Sequence, residues 1–184
     1  QGFNSLKNSA SESLTKTRLG SINITIPAPT YRGSLVFAFG ANRVASFDRI
    51  SLYNVIDDSS GLLIEDYAKE FETGAIYLYS GGMGVDISPK ISLGLALNIY
   101  SGSDKFNYDY YFEDQTDDLA GDFFTRVTED YIGISLKGGM LVRPNEYLSI
   151  GATMETPLDY QVEYSYADDY EQYYIEYDLT RPFV

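Results

Sequence analysis

The sequence predicts an all-β fold: an antiparallel up-and-down transmembrane β-barrel of the outer-membrane type, with this chain as an incomplete segment of a larger barrel. Three observations support this prediction. Apolar residues alternate with small or polar residues in seven segments, the connections between the segments are alternately short and long, and the composition is acidic and rich in Tyr and Gly. No linker divides the chain, so residues 1–184 are expected to form a single barrel segment.

The clearest alternation lies in 91–100, ISLGLALNIY. One face of this segment is wholly aliphatic and the other is small or polar, which is the pattern of a strand with two different environments. The same period of two predicts further strands over 21–26, 34–42, 75–87, 131–142, 148–166 and 173–180. Single-chain bacterial barrels close with even strand numbers, so seven strands imply that others lie outside this sequence.

The longest predicted strand keeps its even-numbered positions apolar from Leu148 to Tyr166, straight through Pro157. At ~3.3 Å per residue, a strand of about twenty residues extends roughly 65 Å. Its first half is aliphatic and its second half carries tyrosines. This order suits a strand that crosses lipid, passes an interfacial aromatic belt and rises into water.

The connections between the predicted strands are alternately short and long, as in outer-membrane barrels. The short ones, at 27–33, 88–90 and 143–146, each contain Pro and are predicted to be tight turns. Long outer loops are expected near 1–18, 44–74, 101–130 and 167–172, and 44–74 together with 101–130 hold 16 of the 27 acidic residues.

Two features favour a lipid-embedded barrel over a soluble secreted β-sandwich or a lipocalin-like binder. The aliphatic faces carry no charge, and a charge facing lipid at mid-membrane costs roughly 2–4 kcal/mol. The opposite faces are dominated by Gly, Ser and Ala, which are too small to fill a packed core. Polar residues on those faces, Asn98, Lys137 and Glu155, are therefore predicted to face the lumen.

The composition excludes several classes of chemistry. The chain contains no Cys and no His, so disulfides, thiolate chemistry and a Ser-His-Asp triad are impossible within it. A net charge of −14 argues against nucleic acid as a partner. No acid pair converges on a pocket, so we expect neither an enzyme nor a cofactor.

The long loops contain two kinds of candidate residue. Tyr108, Tyr110, Tyr111 and Phe112 form an aromatic group that could contact an apolar ligand at the barrel mouth, belong to an aromatic girdle, or pack within its own loop. Acidic pairs such as Asp57-Asp58, Asp117-Asp118 and Asp168-Asp169 match no EF-hand spacing. Solvated loops are the favoured interpretation of these pairs, with bound divalent cations as the alternative, and no metal ligand is assigned.

Four segments resemble one family when taken in order: TRLGSINITIPAPTYRGSLVFAFGANRVASFDR, GGMGVDISPKISLGLALNIYSGSDKF, GGMLVRPNEYLSIGATMETPLDYQVEYSY and YDLTRPFV. The chain is similar to the FadL-like (TodX-type) outer-membrane transport proteins, especially a divergent branch in Bacteroidetes-like bacteria. The resemblance implies a barrel plugged by an N-terminal hatch, of which this chain is roughly the middle half. The Asn-Pro-Ala signature of the hatch is missing, so no binding residue is carried over.

The resemblance also implies a function: passive transport of hydrophobic small molecules such as long-chain fatty acids across the bacterial outer membrane. The expected partners are outer-membrane lipid and a hydrophobic small molecule. A structural or adhesive surface barrel without transport is the first alternative, and the soluble β-binder is the second.

Overall fold

The computed structural model describes residues 7–8, 17–31, 33–57, 64–114 and 119–181, which form one antiparallel sheet. Its strands are β1 (Lys7–Asn8), β2 (Ser21–Ala28), β3 (Leu35–Ser46), β4 (Arg49–Asp57), β5 (Ile64–Ser88), β6 (Ile91–Asp114), β7 (Leu119–Asn145), β8 (Leu148–Glu155), β9 (Leu158–Asp168) and β10 (Gln172–Arg181). The described part of the chain holds no helix long and apolar enough to cross a membrane.

The strands follow one another across the sheet in chain order. The central strands β5, β6 and β7 have 25, 24 and 27 residues, which corresponds to roughly 80 Å each at ~3.3 Å per residue. β3 and β4 both pair with β5, and β8 and β9 both pair with β7. β3 and β4 thus share one position in the sheet, as do β8 and β9. β2 pairs with β3 and β1 pairs with β4, so β1 and β2 share the next position. The described strands therefore occupy seven positions, in agreement with the seven predicted. The up-and-down antiparallel order is confirmed. Within the described residues the sheet is open, with β1 and β2 at one edge and β10 at the other.

The register assigns every side chain to one of two faces, because directly paired residues in a ladder share a face. We call the face that carries Leu95 and its partner Met83 the front face, and the face that carries Ala96 and its partner Gly82 the back face. Leu93, Leu95, Ile134 and Ile150 on the front face are 41%, 55%, 58% and 56% exposed. In the described part of the protein, no second layer covers these aliphatic side chains.

The short connections form turns at one end of the sheet, which we call the lower end. Gly33 adopts φ 77° in the β2–β3 connection, and a Cβ there would lie 2.6 Å from the Asp86 carbonyl oxygen. Thr30 Oγ1 donates to the Gly33 carbonyl oxygen at 2.8 Å. Tyr147 N donates to Asn145 Oδ1 at 3.0 Å in the β7–β8 turn.

The prediction of long loops over 44–74 and 101–130 is wrong, because most of these residues lie in strands. β4 pairs with the upper half of β5, and the β5–β6 and β6–β7 ladders continue to Asp114 with their single irregularity near Asp86. Acidic residues in these segments alternate with aromatic ones, so an extended strand separates them onto opposite faces. Asp109, for example, is exposed on the front face between Tyr108 and Tyr110 on the back face. The 167–172 segment forms the predicted hairpin tip, where Asp168 Oδ1 accepts from the backbone N–H groups of Tyr170 and Glu171.

The uninterrupted strand predicted from Leu148 to Tyr166 is a second correction. Glu155 pairs with Lys137 and Asp159 pairs with Ile134, so one extra residue lies on the β8–β9 side. This is a β-bulge, and it moves the following even-numbered residues to the other face. Leu158 is 0% exposed on the back face, whereas the sequence placed it with Ile150 on the front.

Gly133 provides the space that the side chains after the bulge require. A Cβ at Gly133 would lie 2.9 Å from Leu158 Cδ1 and 3.0 Å from Tyr160 Cδ1, whereas a Cβ at Gly138 on the same strand would meet nothing within 4 Å. We therefore expect Gly133→Ala to lower the free energy of unfolding by ~1–3 kcal/mol through overpacking. Urea unfolding of the protein in detergent, followed by heat-modifiable gel migration, measures the change. Gly138→Ala is the matched control, and equal effects of the two substitutions would contradict the packing argument.

Candidate functional site

A buried carboxylate lies on the back face directly before the bulge. Glu155 is 6% exposed, and its Oε1 accepts hydrogen bonds from Ser135 Oγ at 2.5 Å, Asn98 Nδ2 at 3.2 Å and Tyr100 OH at 3.2 Å. The donors belong to β6 and β7, so one oxygen joins three consecutive strand positions. Hydrogen bonds to a charged acceptor are stronger than neutral ones, which makes this group a rigid junction.

The three residues predicted to face a lumen are brought together at this junction. Lys137 Nζ lies 3.9 Å from Glu155 Oε2, and Ser80 Oγ donates to Asn98 Oδ1 at 2.8 Å, which extends the network to β5. Ser80, Tyr100 and Ser135 were missed by sequence reasoning. The alternation shows which face a residue occupies, but it does not show which residues of neighbouring strands lie beside it.

The geometry of the junction suits structure rather than covalent chemistry. Oε1 of Glu155 accepts from two hydroxyl groups and one amide, Oε2 faces the ammonium of Lys137, and that ammonium is half-exposed. We call this group, made of Asn98, Tyr100, Ser135, Lys137 and Glu155, the polar junction.

Below the polar junction, the back face forms a shallow apolar trough of about 330 Å³. Its floor consists of small side chains, because Gly82, Gly84, Gly94, Ala96 and Gly139 follow one another across three strands. Among the described residues that line it, Lys137 is the only cation.

The predicted aromatic group is divided between the two faces at the upper end of the sheet. Tyr108, Tyr110 and Phe112 lie on the back face, and Phe123 of β7 completes a row with ring centroids 6.0–6.5 Å apart. Tyr111 lies on the front face and is 42% exposed. We call the four back-face rings the tip aromatic row; Tyr111 is outside it because side chains alternate along a strand.

Three carboxylates lie near one another on the back face between the polar junction and the tip aromatic row. Partial burial of Asp104, together with the negative charges of Glu72 and Glu129, raises the pKa of Asp104 to about 6. Arg49 Nη2 forms an ion pair with Glu72 Oε2 at 3.0 Å. Among the described residues, no group of three or more acids is arranged to hold a metal ion, and much of the predicted acidic loop sequence, including 58 and 117–118, lies outside the described residues.

Searches for similar proteins find no match to this chain among family models, curated proteins or solved structures. The resemblance to the FadL-like family therefore stays a prediction, and the functional argument depends on the geometry described above.

Removing the carboxylate of the polar junction is expected to destabilise the sheet. Glu155→Ala leaves three donors without their acceptor and should lower the free energy of unfolding by about 2–4 kcal/mol. Glu155→Gln keeps one acceptor oxygen and should lose less. Urea unfolding measures both variants, with Glu163→Gln on the exposed front face as the control. Equal stability of the Ala variant and the parent protein would show that the hydrogen bonds do not join the strands.

The raised pKa of Asp104 predicts that replacing this residue increases stability, by an amount that depends on pH. An aspartate whose pKa is higher in the folded than in the unfolded state binds more protons when folded, so its contribution to stability falls as the pH rises from about 4 to about 6. Asp104→Asn removes the repulsion, so the variant should be more stable than the parent at pH 7.5, and the difference should shrink at pH 4.5. Thermal unfolding at both pH values tests this, with Asp109→Asn as the same-strand control. A gain at pH 4.5 as large as that at pH 7.5 would be the contrary result.

Proposed function

We propose that this chain is part of the wall of a bacterial outer-membrane β-barrel that passes hydrophobic small molecules, such as long-chain fatty acids, by passive transport. The front face meets lipid hydrocarbon and the back face lines the lumen. Outer-membrane lipid and the transported molecule are its partners.

The observation that carries the proposal is the uncovered aliphatic band on the front face. On β6 it is formed by alternate residues from Ile91 to Ile99, all of them at least 37% exposed. Nine residues measure roughly 27 Å along a strand, and a strand tilted by ~35–45° then covers about 19–22 Å of membrane depth, near the ~25 Å apolar band of known barrels.

The same band weighs against the soluble sandwich and the lipocalin-like binder. Either fold would place the aliphatic face in a dry interior, because exposed apolar patches of this extent are not typical of soluble monomers. In the described residues, most buried side chains, including Asn98, Ser135 and Glu155, lie on the back face instead, and Ala75 is the buried residue of the front face.

Two features support passage through the wall or lumen. The apolar trough leaves open space beside Gly82 and Gly94, which bulky side chains would fill. The tip aromatic row offers ring faces at the end of the sheet where an apolar ligand would arrive.

One observation favours the second candidate function, a structural or adhesive surface barrel. β6 continues fifteen residues beyond Ile99 to Asp114, a rise of roughly 50 Å along the strand. Strands of this height with a charged front face could bind at the cell surface without transport.

Transport by the complete protein in phosphatidylethanolamine–phosphatidylglycerol vesicles tests the proposal. A labelled long-chain alkyl sulfonate is the probe, because its permanent charge slows unassisted crossing of the bilayer. Tyr110→Ala and Phe112→Ala should each slow uptake several-fold by removing rings of the tip aromatic row. Tyr111→Ala is the matched control, since its side chain is on the other face of the same strand, and should leave uptake near the parent rate.

Protein-free vesicles set the background rate. Uptake at that background, with the probe still bound to the protein surface, would favour the structural or adhesive barrel. Protein that stays soluble as a monomer without detergent would overturn the membrane assignment itself.

A further inference from the structure

We infer that the lipid-contacting surface ends at a line that runs above Ile99 on β6 and Ile134 on β7 and reaches the bulge between β8 and β9, and that the sheet reverses its polarity beyond this line. Below it, the front face is apolar and the back face small or polar. Above it, the front face carries charged and polar side chains beside a few apolar ones such as Ile132 and meets water, while the back face carries the aromatic rows and the three carboxylates of Glu72, Asp104 and Glu129 and forms an interior. This inference rests on the proposed function, since it places the outer edge of the lipid contact.

Rows of paired residues show how abrupt the change is. Three successive front-face rows below the line contain only apolar, glycine or threonine side chains. Their members on β5 and β6 are Gly81, Met83, Val85, Leu93, Leu95 and Leu97. The next row holds Tyr79, Ile99 and Ile134, and a tyrosine at this position matches the aromatic belt of a membrane interface. Past the bulge the same row continues with Asp159 and Thr180, so on β9 the line lies below Asp159.

The first row above Ile134 carries charge at both ends. It consists of Arg43, Tyr77, Ser101, Ile132, Gln161 and Asp178. In the row after it, Asp130, Glu163 and Glu176 are direct partners on three adjacent strand positions. Like charges placed opposite one another are unfavourable even in water, and hydrocarbon would add to that cost, so these rows belong in water.

A hydrogen-bonded ion cluster occupies the front face at the same height on the other side of the sheet. Asp48 accepts from Arg18 Nη2 at 2.7 Å, from Arg43 Nη2 at 2.8 Å and from Thr73 Oγ1 at 2.9 Å. The cluster places two guanidinium groups and a carboxylate directly above the aliphatic band, which is where headgroups and water would be met.

The bulge accomplishes the reversal on the β8–β9 path. Thr156 N donates to the Leu136 carbonyl oxygen at 2.9 Å, and Leu136 N donates to Thr156 Oγ1 at 3.0 Å, so these residues are opposite each other. Asp159 then pairs with Ile134, which leaves Pro157 and Leu158 opposite the single residue Ser135.

Without the extra residue, the odd-numbered side chains of β9 would stay on the back face and the apolar ones would face outward. With it, Asp159, Gln161 and Glu163 join the front face, and Leu158 and Val162 are 0% and 1% exposed on the back face. Burying these two aliphatic side chains stabilises the sheet at this height. The same shift would be unfavourable within hydrocarbon, because it turns two acidic side chains outward.

On β6 the reversal needs no bulge, because the sequence itself changes. Beyond Ile99 the front positions are Ser101, Ser103 and Lys105, and the back positions include Tyr100, Phe106 and Tyr108. The polar face therefore changes sides at neighbouring heights on β6, through its sequence, and on β8–β9, through the bulge. Because the two causes differ, we attribute the shared height to one boundary between lipid and water.

Single-tryptophan quenching in vesicles tests the line: residues 1–184 contain no Trp, and any Trp elsewhere in the complete protein is first replaced by Phe. Leu95→Trp and Ser103→Trp form one matched pair on β6, and Ile150→Trp and Gln161→Trp form another on the β8–β9 path. The vesicles contain phosphatidylcholine brominated near the ends of its acyl chains. The two positions below the line should be quenched at least threefold more than the two above it, which should instead be quenched by aqueous iodide.

The outcomes separate the inference from the proposed function. If Trp at 95 and 150 is not quenched by the brominated lipid, the membrane assignment fails. If these two are quenched but Trp at 103 or 161 is quenched as strongly, the assignment stands and the boundary is wrong. All four substitutions are at partly or fully exposed front positions, and heat-modifiable migration verifies that each variant is folded.

Discussion

The in-register ladder that joins β5, β6 and β7 is the constraint on which the other features depend. Along β6, backbone amides and carbonyls find partners on both β5 and β7 over nearly the whole strand, so the pairing cannot slip locally without leaving polar groups unpaired. A slip of one residue would move Leu93, Leu95 and Leu97 to the back face together. The ladder therefore fixes the aliphatic band, the trough and the tip aromatic row at the same time.

The residue pattern on the two faces of the sheet changes along the length of β6, as it would if the lower part of the strand met lipid and the upper part met water. Along the lower part of β6, apolar residues on the front face alternate with small residues on the back face, such as Gly94 and Ala96. Higher on the same strand, Lys105 and Asp109 are exposed in front, while Phe106 and Tyr108 are partly covered behind. One continuous strand thus carries the pattern of a lipid-facing wall and then that of a water-facing sheet, and no loop separates the two.

Much of this fold can be predicted from the sequence, because period two survives wherever each face has one environment. The strand cores over 91–100 and 131–142 and the face of Asn98, Lys137 and Glu155 follow directly from alternation. The tall hairpins were missed because acidic residues at alternate positions resemble a solvated loop when the aromatic residues between them are not assigned to a face. The separation of Tyr111 from its neighbours follows once 101–114 is recognised as strand.

The bulge could not be predicted from alternation, because the even-numbered positions stay apolar on both sides of it. Leu148, Ile150 and Met154 are exposed on the front face, whereas Leu158 and Val162 are buried on the back face. Two different environments produce the same letters, and only the pairing with Lys137 and Ile134 distinguishes them. Pro157 was the available signal, since a residue without an N–H is suited to a position outside the ladder.

The polar junction and the bulge are two parts of one arrangement. A bulge interrupts the ladder, so the strand beside it needs other bonds to hold its position. Thr156 supplies one through Oγ1 to the Leu136 amide, and Glu155 supplies three through its buried oxygen, one of them to Ser135, the residue opposite the bulge. A hydrophobic residue at 155 could fill the same space but could not accept from Ser135, Asn98 and Tyr100, so these three residues would lose the acceptor they share. The carboxylate is therefore the group that allows the chain to change faces at this height while the neighbouring strands keep their register.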